Sequence, residues 1–203
     1  MPHPDEAFLH LENRHTGERL ALRRLRRGDH EWLELRGTLP PRSEGPPLHV
    51  HHAEDEEGRV LAGTLSVLLD GRTFTVPAGG QARLPRGAAH RWWNAGDQLL
   101  RFEGVVTPIV DLDRYLQAMF EVLNASPAGR PSPFYLAHAA LRHARTQQVL
   151  VMAPCLQPVL FRVIVAVGTV LGRYRGSDWP GCPARCTGAP TVEITGTDAS
   201  SSP

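Results

Sequence analysis

The feature that most constrains this chain is a series of short alternating runs of apolar and polar residues that extends to about Pro108. Turn signals interrupt the runs at regular spacing, and alternation with a period of two is typical of strands with one buried face. Many such strands in succession predict an all-β sandwich or barrel. The predicted strands are Phe8–Glu12, Arg19–Leu25, Glu31–Leu39, Leu48–His52, Arg59–Leu69, Thr73–Val76, Gln81–Leu84, His90–Asn94 and Leu99–Thr107.

Asp70-Gly71 stands between two of these runs. A type I′ turn needs positive φ at both central residues, which Asp and Gly tolerate, so this pair predicts a hairpin.

The charge balance argues against a nucleic-acid partner. The formal net charge is +1, whereas nucleic-acid-binding domains carry a concentrated basic field. The densest basic run, Arg23–Arg27, is either a phosphate-binding patch or a solvated edge strand that its charges protect from pairing with other chains. We favour the edge strand.

After Pro108 the apolar residues recur at helical spacing. Asp111 is a suitable N-cap for a first helix. A second helix is predicted to begin at Ser132 with Pro133 in its first turn. The sequence therefore predicts a small α-helical extension over residues 109–175.

Histidines and cysteines of the C-terminal half do not form a predicted site. His138 and His143 have no carboxylate or cysteine at ligand spacing, so we expect both at the surface. Cys182 and Cys186 have no neighbouring histidine or third cysteine, which disfavours zinc. An odd number of cysteines, with Cys155 as the third, favours a reducing compartment.

The segment Val149–Gly172 is the most apolar part of the chain. Prolines and Arg162 interrupt it, which disfavours a span of about 20 apolar residues across a membrane. We expect a helix that packs on the barrel or in a dimer interface; peripheral contact with a membrane surface is the second interpretation.

Residues 176–203 are rich in Gly, Pro, Ser and Thr and are expected to be disordered. The polar N-terminus lacks an export signal, so the expected location is cytoplasmic or membrane-associated.

Two short stretches carry the residues suited to chemistry. In the first, His49 and His51 lie two apart on a predicted strand, so their side chains share a face. Glu56 follows five residues later, a distance over which the chain can turn and return a carboxylate. In the second, a Pro-x-Gly turn precedes the strand that begins at His90.

Histidine nitrogens with a carboxylate suit a divalent transition metal, one of Fe, Mn, Co, Ni, Cu or Zn. Each element alone is weak, because His-x-His is common and the acidic run from Glu54 to Glu57 also fits a solvated turn. The joint spacing of both stretches favours a metal site with His49, His51, Glu56 and His90 as ligands.

These stretches resemble the two motifs of the cupin superfamily over roughly residues 40 to 107. The matching residues are His49, His51, Glu56, Gly63, Gly79, Pro85, Gly87, His90 and Asn94. The resemblance implies a jelly-roll, or double-stranded β-helix, barrel over residues 1–108 with the metal inside its wide end. It also implies a small-molecule ligand and a homodimer. The opening glycine of the first motif falls at Ser43, and Gly45 lies two residues later.

If His90 faces inward, strand alternation places Trp92 and Asn94 inward as well. Trp92 then either walls a substrate pocket or belongs to the barrel core, and the sequence leaves both open. Asn94 is better suited to stabilising a turn than to catalysis.

Two functional hypotheses follow. The first is a metal-dependent enzyme, above all a dioxygenase for a small aromatic or enolic molecule, with isomerase or lyase chemistry as neighbours. In it, Glu56 is a ligand or a general base. The second is a non-catalytic barrel that binds or senses a small molecule, since one fold hosts many functions.

Overall fold

A computed structural model describes residues 8–153, 155–174 and 185–194. Its strands match most of the predicted runs, and its helices follow them. The strands are β1 (Leu9–Glu12), β2 (Arg19–Arg27), β3 (His30–Leu39), β4 (His49–His51), β5 (Asp55–Ala62), β6 (Thr64–Leu69), β7 (Arg72–Pro77), β8 (Gln81–Leu84), β9 (His90–Trp93), β10 (Leu100–Thr107), β11 (Gln147–Val149) and β12 (Thr191–Glu193). The helices are α1 (Leu112–Asn124), α2 (Pro133–Arg142) and α3 (Gln157–Val170).

The described strands form two sheets. One has the order β1-β2-β3-β10-β5-β8, with β12 added parallel to β2, and the other has the order β11-β4-β9-β6-β7. All other pairs are antiparallel, and most neighbours in a sheet are distant in sequence. The prediction of an all-β jelly-roll barrel followed by a small helical extension is confirmed.

Apolar side chains from both sheets form one core. Leu22, Leu33 and Leu100 of the first sheet are fully buried with Val67 of the second. Burial of such a side chain stabilises the fold by roughly 1.5–3 kcal/mol relative to exposure. This core holds the two sheets together and sets the position of the strands that line the barrel.

The predicted strand Arg59–Leu69 is in fact two strands. β5 lies in the first sheet and β6 in the second, and Gly63 joins them with φ of +77°. A Cβ at Gly63 would lie 2.9 Å from the carbonyl oxygen of Leu99. The chain therefore changes sheets where only glycine fits.

The predicted hairpin at Asp70-Gly71 is confirmed. Both residues have positive φ, +46° and +80°, and they connect the antiparallel strands β6 and β7.

The prediction that Arg23–Arg27 forms an edge strand is wrong. β2 pairs with β3 on one side and with β1 and β12 on the other. Three of the four arginines form ion pairs instead, among them Arg23 with Glu34 at 2.6 Å and Arg24 with Asp113 at 2.7 Å. Their partners lie on other elements, which the local sequence does not reveal.

The helical extension begins with α1, and α2 opens as predicted with Ser132 at the N-cap position and Pro133 in the first turn. The apolar segment is divided: Val149 ends β11, and α3 packs mainly on α2, while the Gln157 side chain at its start donates to the Val149 carbonyl. None of the helices in the described residues is both long and apolar enough to span a membrane.

Expectations for the tail and for the histidines of α2 need correction. In the predicted disordered tail, β12 forms a strand beside β2; Cys182 lies outside the described residues. His143 is buried, and its Nδ1 lies 2.6 Å from the Asp111 carboxylate. His138 is half-buried against Tyr174.

Candidate metal centre

Three histidines converge inside the barrel. β4 carries His49 and His51 on one face, and His90 opens the neighbouring strand β9 directly opposite His49. One ring nitrogen of each histidine lies within 4.8 Å of the others, and the rings of His49 and His90 are 4.3 Å apart between centroids. Metal–imidazole bonds measure about 2.0–2.1 Å, so small shifts of these side chains would bring all three nitrogens onto one ion.

Backbone carbonyls select the ring nitrogen that faces the cluster. Nδ1 of His49 donates to the Pro47 carbonyl at 2.8 Å, and Nδ1 of His90 donates to the Ala88 carbonyl at 3.0 Å. A proton on Nδ1 leaves the lone pair on Nε2, which is how proteins orient histidine ligands.

Burial keeps these imidazoles neutral. It lowers the pKa of His49 to about 4, with the neighbouring His90 adding to the effect, and it lowers the pKa of His90. Burial, then the adjacent histidines, also lower the pKa of His51. Neutral imidazole is the form that binds a metal.

Two buried ring nitrogens indicate that the cluster fits a metal ion. Nε2 of His90 and Nδ1 of His51 have no hydrogen-bond partner in the described part of the chain, although these side chains are 0% and 2% exposed. A buried polar atom without a partner costs about 1–3 kcal/mol. A metal ion would satisfy such nitrogens, so the donor set fits a divalent transition metal.

Glu56 lies beside the histidines without joining their cluster. Its Oε2 is 3.9 Å from Nε2 of His90, and the side chain is largely buried at the start of β5. Burial, then the nearby Glu54 carboxylate, raises the pKa of Glu56 to about 7. The carboxyl group is thus within reach of anything bound at the histidines.

The other residues near the motifs are not part of this cluster. His52 is exposed, with Nε2 3.1 Å from the Gln148 side chain. Trp92 is buried two residues after His90, with its ring against Phe102 at 5.0 Å. The amide of Asn94 donates to backbone carbonyls of the loops around it and therefore stabilises a turn, as predicted.

Gly45 explains the shifted glycine of the first motif. It has φ of +63°, and a Cβ there would lie 2.1 Å from the carbonyl oxygen of Trp92. Ser43, at the usual glycine position, bridges to Asn94. The glycine that approaches β9 closely therefore lies two residues after the usual position of the motif.

Sequence reasoning missed Glu54 and Gln147. Glu54 is fully buried, and its Oε1 accepts hydrogen bonds from the backbone N–H groups of Val110, Asp111 and Leu112, where the chain enters α1. Its Oε2 accepts a hydrogen bond from Gln147, which lies opposite His51 in the β4–β11 pair. Residues 93 positions apart meet here, so no local signal indicated the contact.

Glu54 therefore caps α1 in place of Asp111. Asp111 occupies the N-cap position, but its carboxylate bonds His143 and Thr146 instead. Loss of a capping side chain typically costs about 1–2 kcal/mol. We expect Glu54→Ala to lower the free energy of unfolding in urea by about that amount, whereas Glu57→Ala on the exposed side of β5 should change it by less than about 0.5 kcal/mol. Equal stability of the two variants would contradict the capping role.

The comparisons with known proteins match the part of the chain that contains the three histidines. Residues 35–107 match the family model described as a cupin domain. The chain is 31% identical over 102 residues to the oxidoreductase iacF of Pestalotiopsis fici. This alignment covers 45% of this chain and 50% of the relative. It thus spans about half the length of this curated relative.

Among solved structures, the chain is similar to a sugar phosphate isomerase of the cupin superfamily from Silicibacter pomeroyi, with 25% identity and a TM-score of 0.38 over 44% of this chain and 60% of that one. It is also similar to the cupin domain of Cnp3 from Schizosaccharomyces pombe, with 19% identity and a TM-score of 0.37 over 43% and 63% of the two chains. Neither likeness bears on the reaction of this chain.

Proposed function

Because this chain belongs to the cupin superfamily through the domain at residues 35–107, we propose that it is a metal-dependent oxidoreductase of the dioxygenase type. His49, His51 and His90 would hold a divalent transition metal. The observation that supports this most is the convergence of three neutral imidazoles with buried, unsatisfied nitrogens. Such an ion supplies Lewis-acid and redox chemistry when bound.

The proposed substrate is a small aromatic or enolic molecule. Trp92, on the same strand as His90 and two residues after it, is buried in the barrel core with its ring against Phe102. Aromatic walls favour flat, apolar ligands. A relative named as an oxidoreductase also supports this reaction class over isomerase or lyase chemistry.

Glu56 is the proposed proton acceptor or fourth ligand. Its carboxylate lies 3.9 Å from His90, so a hydroxyl group of a molecule bound at the histidines would fall within its reach. A positioned general base typically contributes about 10²–10⁴-fold to a rate. Glu57 offers a matched control, because it is exposed on the opposite face of the same strand.

Oxygen uptake tests this proposal. Protein loaded anaerobically with Fe(II) is expected to consume oxygen with at least one member of a panel of enolic and phenolic compounds. Glu56→Gln should lower that rate by about 10²-fold or more, while Glu57→Gln should leave it unchanged.

The second hypothesis, a binding or sensing barrel without catalysis, predicts a different outcome. Metal-loaded protein would then bind members of the same panel, seen by quenching of tryptophan fluorescence, but consume no oxygen with any of them. That result would refute the dioxygenase proposal.

A further inference from the structure

Helix α3 leaves one apolar face uncovered in the described structure. Its other side packs on α2, where Gly168 is buried and an added Cβ would lie 2.8 Å from Phe134 and from Tyr174. Exposed apolar side chains recur every three or four residues along the free face: Val159, Leu160, Val163, Val167, Val170 and Leu171. Val170 is 87% exposed. A contiguous patch of this kind marks an interaction surface.

Positive charge is concentrated in the same part of the chain. From Val122 to Val192 there are seven arginines and one acidic residue, Asp178, whereas the rest of the chain has 15 arginines and 20 acidic residues. Arg142, Arg145 and Arg162 of this segment are exposed. The near-neutral net charge of the whole chain therefore conceals a basic extension and an acidic remainder.

One arginine of this segment lies beside the apolar face. At 100° per residue, Arg162 lies about 100° around α3 from Val163. It is therefore at the flank of the apolar face and not within it. An apolar helix face with arginines at its flank is typical of helices that lie in the interface of a membrane.

We propose that α3 docks this protein on an anionic lipid surface. Its apolar face would enter the boundary between headgroups and acyl chains, and the arginines of the extension would contact lipid phosphates. A helix of 14 residues is about 21 Å long, which suits a position in the plane of the interface. A second copy of the chain is a poorer partner, because pairing through α3 would bring two basic extensions together.

Sedimentation with vesicles tests this docking. The full chain is expected to co-sediment with phosphatidylcholine vesicles that contain phosphatidylglycerol, and much less with phosphatidylcholine alone. Arg145→Gln with Arg162→Gln should weaken binding by about fivefold for each arginine. Arg72→Gln with Arg101→Gln changes the net charge equally on the barrel and should have little effect.

The apolar face is tested separately. Val163→Ser with Val167→Ser should reduce vesicle binding at least tenfold, while Leu61→Ser, an exposed apolar position on β5, should not. Circular dichroism checks that each variant is folded; if the valine variant is not, the arginine pair alone decides. Equal binding to both kinds of vesicle, or to neither, would overturn the proposal. So would a solution dimer that the valine substitutions dissociate, without vesicle binding, because α3 would then be a contact between two copies.

Discussion

Protein with both His51→Ala and His90→Ala is expected to lose nearly all of the metal that the wild-type chain carries. The two substitutions remove two of the three converging nitrogen ligands. Changes that only affect the groups around a ligand already cost about 10–100-fold in metal affinity, so loss of two ligands should cost more. Elemental analysis of purified protein, with about one ion per chain expected in the wild type, measures the effect.

His52→Ala is the matched control for this experiment. His52 is the immediate neighbour of His51, yet it is exposed and lies beside Gln148 instead of the cluster. Its loss should leave the metal content unchanged. Full occupancy in the double variant would rule out the site, and loss of metal in His52→Ala would place it elsewhere.

Asp113→Ala is expected to lower the free energy of unfolding by about 3–5 kcal/mol. Asp113 is fully buried and accepts two hydrogen bonds from Arg24, at 2.9 and 2.7 Å, and one from the backbone of Ala189. Removal of the carboxylate leaves a mostly buried guanidinium short of its partner and detaches the segment that leads into β12. Urea denaturation gives the difference directly.

An exposed pair provides the control. Arg42 and Asp97 also form a salt bridge, but both side chains are 75% exposed. Asp97→Ala should therefore cost less than about 1 kcal/mol. Similar losses in the two variants would contradict the importance of burial.

The contribution of Asp113 to the free energy of unfolding should decrease in acid. Burial would raise the pKa of Asp113, but the hydrogen bonds from Arg24 and Ala189 outweigh it and lower the pKa below its ordinary value. A carboxyl group with a lowered pKa stabilises the fold above its unfolded pKa of about 3.9 and loses that contribution as the pH falls through the folded value. The difference between the wild type and Asp113→Ala should shrink in acid below about pH 3.9.

Local patterns predicted the barrel well. Alternation placed most strands within a few residues, and Asp70-Gly71 marked its hairpin, because both signals depend on neighbours in the sequence. His49 and His51 share a face for the same reason. The two errors in strand assignment, at Gly63 and in β2, concern which sheet or edge a strand joins. That choice is made by distant partners.

Local sequence patterns did not predict the buried polar contacts. Asp111 lies at the start of α1, as predicted, but its carboxylate bonds His143. Glu54 accepts the hydrogen bonds at the start of the helix instead. Both carboxylates are suitable acceptors. Only the packing of α1 and β11 against the loop after β4 brings the Glu54 side chain to the helix end.

Periodicity and motif spacing were enough to predict the strand pattern and the three histidines of the candidate site, because each of these signals lies within one or two elements. Three other features could be seen only in the folded chain: how close Glu56 lies to His90, how β11 joins the strand that carries His49 and His51, and which face of α3 is left exposed. These depend on contacts between residues many positions apart. Their energies come from burial and pairing that no single stretch of the chain contains.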